Sequence, residues 1–132
     1  MKVNKSLDYT LRLLLLLARD PGKFQSVRDL AQQEGLPEAF VRQVLLRLRK
    51  AGFLEAQKGR VGGYKLAKPP KRIRLAVVVR ALDENLFLAL AGEGRRRGLS
   101  QPEKDCPTAP FWDRLERTFW EALEETTLAD LL

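Results

Sequence analysis

The feature that most constrains this chain is a pair of helix signals split by one glycine turn and followed at once by a glycine-rich hairpin. Ser26-Val27-Arg28-Asp29 places a serine at an N-cap with an acid three residues on, a capping box that opens a helix. Val27, Leu30 and Ala31 share one face of that helix, which runs to about Glu34 before Gly35 breaks it. Pro37 has a fixed φ suited to a first helical turn, and Glu38 favours the positive end of the dipole, so a further helix is predicted over residues 37–51, stopping at Gly52. Two such helices joined by a tight turn form a helix-turn-helix. Beyond them, residues 53–57 and 64–67 alternate like short strands around Lys58-Gly59-Arg60-Val61-Gly62-Gly63. A basic β-hairpin in that place makes the expected fold a winged helix-turn-helix, mainly α with a small β-hairpin wing.

The flanking segments complete it. Leu7, Leu11, Leu14, Leu15 and Ala18 recur at helical spacing, while Leu13, Leu16 and Leu17 fill the other faces. A helix over residues 3–19 is therefore expected to be buried on more than one side, with Asp20-Pro21-Gly22 ending it. Pro69-Pro70 closes the wing, residues 75–84 read as a fourth helix, and residues 87–91 as a short fifth. Residues 92–107 have the glycine, proline and arginine content of an exposed loop. Residues 110–126 then form a long last helix, in which Phe111, Trp112, Leu115, Phe119, Trp120, Ala122 and Leu123 make an apolar band wider than a small domain needs. Thr127-Leu128-Ala129-Asp130 is a second capping box, opening a terminal turn. Left in water the band would promote aggregation, so the last helix and the first are expected to build a two-fold homodimer.

Charge points to the partner. Residues 1–84 hold 18 Lys/Arg and 8 Asp/Glu, whereas residues 85–132 hold 6 and 9. Between positions 42 and 80 there are twelve basic residues and a single acid, Glu55. So one-sided a field costs self-repulsion and fits an anionic partner, most commonly nucleic acid. A winged helix serving as a protein-interaction module for an acidic partner is the alternative.

The residue inventory excludes much else. The chain has no histidine and one cysteine, which removes Ser-His-Asp and Cys-His nucleophile systems, His-ligated zinc and any intrachain disulfide. No catalytic or metal-ligating set is expected, and the protein is not read as an enzyme. The apolar stretch at residues 13–18, which no other in the chain exceeds, is far short of the ~20 residues a membrane span needs. A cytoplasmic protein with no membrane partner is the expectation.

On the predicted helix over 37–51, Phe40, Val41, Val44, Leu45 and Leu48 gather on the core side. The opposite side presents Ala39, Arg42, Gln43, Leu46 and Lys50, flanked by Arg47 and Arg49. Arg can reach guanine O6 and N7 with two donors, and Gln can pair with adenine N6 and N7. Such a pair suits a helix lowered N-terminus-first into the major groove of double-stranded DNA. Lys58 and Arg60 on the wing suit a minor groove, where negative potential deepens over narrow A·T tracts. Ser26, Arg28 and Arg47 are candidates for phosphate contacts. Leu46 fits either a thymine methyl or a protein contact.

Three stretches carry a family resemblance: Ala31-Gln32-Gln33-Glu34-Gly35-Leu36, then Leu45-Leu46-Arg47-Leu48-Arg49-Lys50-Ala51-Gly52, then Gly59 through Tyr64 with its Gly62-Gly63 pair. Together they resemble the Rrf-two family of bacterial regulators, and the likeness continues to Trp112, Leu115 and the closing Thr127-Leu128-Ala129-Asp130-Leu131. The resemblance implies a homodimeric winged-helix transcription factor, often a repressor, binding a palindromic operator. Its long C-terminal helix would pack on that of a partner subunit. It also implies that Gln43 reads bases. The preceding residue is commonly acidic in the family and here is Arg42, so a different operator is expected. The wing arginine position carries Lys58, and Arg60 and Val61 replace the usual proline and glycine, implying a stiffer wing that leans more on phosphates. Iron–sulfur members hold a [2Fe–2S] cluster with three cysteines before the long helix. Cys106 matches the third, but residues 92–104 contain none, and Ala109 stands where some members place a histidine. The cluster is expected to be absent, leaving Cys106 as a candidate redox or ligand sensor. The organisation expected is a winged helix-turn-helix DNA-binding domain at 1–84, a short helix and sensor-like loop at 85–109, and a dimerisation helix with a C-terminal turn at 110–132.

Overall fold

Apolar spacing and cap chemistry set the helices of the N-terminal half. The computed structural model describes residues 5–60, 62–82 and 107–132. In α1 (Lys5–Arg19), Leu13, Leu14 and Leu17 are fully enclosed. Thr10 is buried in the same wall, its hydroxyl donating to the Ser6 carbonyl at 2.8 Å. α2 (Val27–Glu34) starts at Ser26, whose Oγ accepts from the Asp29 N–H at 3.1 Å, satisfying a donor that a helix start leaves open. It ends at Gly35 in the left-handed region (φ 65°), where the Leu36 N–H closes onto the Ala31 carbonyl at 3.0 Å. α3 (Glu38–Lys50) follows. Pro37 stands at its N-cap and not inside the first turn: its ψ of 137° is extended, while its carbonyl already accepts from Val41 at 3.1 Å.

Gly52 turns the chain out of α3 into β1 (Leu54–Gln57), which pairs antiparallel with β2 (Gly63–Leu66). Leu54 lies opposite Leu66, and both are buried at the base of the wing. The hairpin is tied down on its other side too. Gln25, one residue before the α2 cap, exchanges backbone hydrogen bonds with Tyr64 at 2.9 and 2.8 Å, and its Nε2 donates to the Leu16 carbonyl at 3.2 Å. Gly63 has φ 151°, and a Cβ there would collide with the Gln25 carbonyl. This rung had no sequence signal, because a single residue shows no alternation.

After a 3-10 turn at Pro70–Arg72 comes α4 (Leu75–Leu82). The fifth helix expected at 87–91 and nearly all of the 92–107 loop lie outside the described residues. α5 (Ala109–Glu125) packs on α4, with Phe119, Trp120 and Leu123 against Leu7 and Val79. Arg80 clamps the two helices, its guanidinium 4.7 Å above the Trp120 ring and 3.0 Å from Glu124. The chain then returns to the winged helix. The Leu75 N–H bonds the Thr126 carbonyl, the Leu128 N–H bonds the Ile73 carbonyl, both at 2.9 Å, and Leu128 is fully buried beside leucines of α1, α2 and α3. Asp130 accepts from the Thr127 N–H at 2.8 Å, the returning half of the expected capping box.

Most leucines of α1 are buried within this chain, and Leu11 and Leu15 pack half-buried on the same core. The exposed large apolar side chains among the described residues are Leu46, Val77, Phe111, Leu115, Leu131 and Leu132.

Candidate nucleic-acid interface

Burial of one side of α3 determines what the other side shows. Val41, Val44, Leu45 and Leu48 are buried, and Phe40 meets Tyr9 of α1 edge-on at 5.9 Å, fixing the first turn of the helix. Ala39, Arg42, Gln43, Leu46, Arg47, Arg49 and Lys50 are consequently exposed. Arg42 and Gln43 project from the second turn, clear of the core.

The wing continues the basic surface. Lys58, Gly59 and Arg60 are exposed at its tip, and Val61 lies outside the described residues. Glu55, the one acid in this stretch, is held across the hairpin by Lys65 at 3.6 Å. Lys65 in turn lies 4.8 Å over the Phe24 ring. Among the described residues, no acid forms an ion pair with Arg28, Arg42, Arg47, Lys50, Lys58 or Arg60. Their charges are open to an external anion.

The start of α2 adds a third element. Ser26 is half-buried; its oxygen caps the helix, and its O–H proton is left for an acceptor. Arg28 is exposed in the first turn, where open N–H groups and the dipole favour an anion. The Gln25–Tyr64 rung sets this helix start beside β2, so the candidates from α2 and the wing are joined by backbone hydrogen bonds. Sequence reasoning placed the candidates on their elements but missed Gln25 and Phe24, which hold them together.

An iron–sulfur centre takes about four ligands, chiefly thiolates. This chain has one cysteine and no histidine, and Cys106 lies outside the described residues. Among the described residues, no three carboxylate or thiol groups gather where they would hold a metal. The donors present do not fit the cluster. No described helix is long and apolar enough to cross a membrane.

A basic winged helix with an open Arg-Gln pair is the architecture of a DNA-binding regulator, and comparison with known families agrees. The model of the Rrf2 family, described as an iron-dependent transcriptional regulator, matches residues 3–132. The chain belongs to the Rrf2 family of transcriptional regulators. It is 39% identical over 140 aligned positions to the HTH-type transcriptional regulator NsrR of Halalkalibacterium halodurans, covering 100% of this chain and 90% of that protein. The solved structure of T. potens IscR matches with a TM-score of 0.78 at 27% identity, over 99% of this chain and 85% of the other. CymR, the global cysteine regulator of B. subtilis, matches with a TM-score of 0.78 at 28% identity, over 99% and 95%. These relatives are regulators of transcription and not enzymes. This Rrf2 member shares their mostly helical winged fold and long C-terminal helix.

Proposed function

We propose that this Rrf2 regulator is a cytoplasmic homodimeric repressor that reads a palindromic operator and carries no [2Fe–2S] cluster. The observation that supports the DNA reading most is the exposed Arg42–Gln43 pair, whose arginine forms no ion pair among the described residues and which is followed by a basic wing. In this reading α3 enters the major groove N-terminus first. Arg42 donates twice to guanine, Gln43 pairs with adenine, and small Ala39 lets the helix approach the bases. Arg47 and Lys50 meet phosphates, Ser26 and Arg28 hold the backbone at the start of α2, and Lys58 and Arg60 follow the minor groove. Residues 1–84 perform the reading, 85–109 form a sensor segment around Cys106, and 110–132 join the two copies. Two-fold symmetry then sets the recognition helices about one helical turn apart on a palindrome.

Selection of duplexes from a randomised pool, followed by in vitro transcription from a promoter carrying the recovered site, tests this reading. A palindromic consensus and reduced transcript are expected; no consensus, or a raised transcript, contradicts it. For the cluster, anaerobically purified protein should lack stoichiometric iron and acid-labile sulfide. A stoichiometric cluster that disappears in Cys106→Ser would overturn that part.

A further inference from the structure

Leu46 is out of keeping with its surroundings. It is 40% exposed, yet Arg42 and Gln43 lie four and three residues before it on the same face of α3 and Lys50 lies four after. The core has no use for it, since Val41, Val44, Leu45 and Leu48 already fill the inner side of the helix. The other exposed large apolar residues described belong to α4, α5 and the C-terminal turn. Leu46 is therefore an isolated apolar point within a cationic surface. A protein partner would ask for a contiguous apolar patch with a central anchor, and α3 shows none. The major groove offers the matching shape. Each thymine presents one methyl group there, set among base-edge acceptors and flanked by phosphates.

We infer that Leu46 is a specificity-determining residue that packs against the 5-methyl group of a thymine in the major groove. The inference rests on the DNA reading proposed above and extends it to a base neither Arg42 nor Gln43 can identify. The helix rises about 1.5 Å per residue, so Leu46 lies about 4.5–6 Å further along the axis than that pair. One turn further along the helix it faces a base pair beside those that Arg42 and Gln43 read. Covering one methyl group is worth roughly a three- to fivefold gain in affinity.

Deoxyuridine is the probe, because it removes only the methyl group and keeps the base pairing. The operator is first selected with the unaltered protein, and each of its thymines is then replaced in turn. At one thymine within each half-site, beside the guanine and adenine contacts, affinity should fall about three- to fivefold. Leu46→Ala should bind the thymine and uracil forms equally, while Leu46→Met, which keeps an apolar side chain, should retain the difference. Being exposed and a strong helix former, alanine leaves the fold intact. If no thymine responds, or if Leu46→Ala still distinguishes the two bases, the inference is overturned while the DNA reading stands. A uniform loss for Leu46→Ala on both duplexes would likewise overturn it and point to a protein contact. A pool that yields no preferred sequence overturns the DNA reading itself, and the inference with it.

Discussion

Arg42 and Gln43 differ from Lys50, Lys58 and Arg60 in what each can recognise. A bidentate donor set discriminates one base from another, whereas a point charge near a phosphate meets the same group at every sequence. Arg42→Ala and Gln43→Ala should each cost about 1–3 kcal/mol on the selected operator and little on random duplex. Lys50→Ala, Lys58→Ala and Arg60→Ala should weaken binding to both duplexes alike and lower the salt slope by about one unit each. Gel shifts on operator and scrambled duplex separate the two patterns, and uniform losses in both groups would contradict the docking. The candidate site was legible at this scale for a simple reason. Once Val41, Val44, Leu45 and Leu48 are assigned to the core, helical periodicity leaves no other face for Arg42 and Gln43. Gln25 was not legible, because its role comes from a partner 39 positions along the chain, Tyr64.

At the scale of elements, the wing is tied down on both strands and is not a free hairpin. β1 continues from α3 through the Phe53 N–H bond to Leu48 at 3.0 Å, and β2 is held by Gln25, itself one residue from the α2 cap. Rigidity of the wing therefore depends on the close approach at Gly63. Gly63→Ala should force either the backbone out of φ 151° or the Gln25 backbone away, at a cost of about 1–3 kcal/mol in chemical denaturation. It should also weaken operator binding more than that stability loss leaves accounted for, since Lys58 and Arg60 would lose their placement. Unchanged denaturation midpoint and affinity would show that the rung is dispensable. The helices and the hairpin were readable from caps, glycines and alternation. The return of Leu128 into the core was not, because Thr127-Leu128-Ala129-Asp130 carries the signal of a local turn and says nothing of where that turn docks.

For the whole molecule, the basic run and the exposed apolar residues of α5 each make a demand. Twelve basic residues against one acid over positions 42–80 should give steeply salt-dependent binding. If about six to ten phosphates are neutralised, affinity falls roughly 10³- to 10⁵-fold between about 50 and 200 mM salt, and a flat response in fluorescence anisotropy would contradict the interface. The apolar demand comes from α5. Phe119, Trp120 and Leu123 are used within the chain, but Phe111 and Leu115, on the N-terminal half of the same helix, are 56% and 42% exposed, and Val77 of α4 is 51% exposed. In the proposed homodimer a second copy covers them by symmetry, because the same face is present on both subunits. The protein should therefore sediment as a dimer at low micromolar concentration. Phe111→Glu with Leu115→Glu should give a monomer with an unchanged circular dichroism spectrum, since neither side chain is part of the core. That monomer keeps its recognition helix but loses the linkage between half-sites, so operator affinity should drop about 10²- to 10⁴-fold. The same variant should change little on a single half-site, which separates loss of dimerisation from damage to the reading surface; a well-folded monomer of the unaltered protein would refute the arrangement.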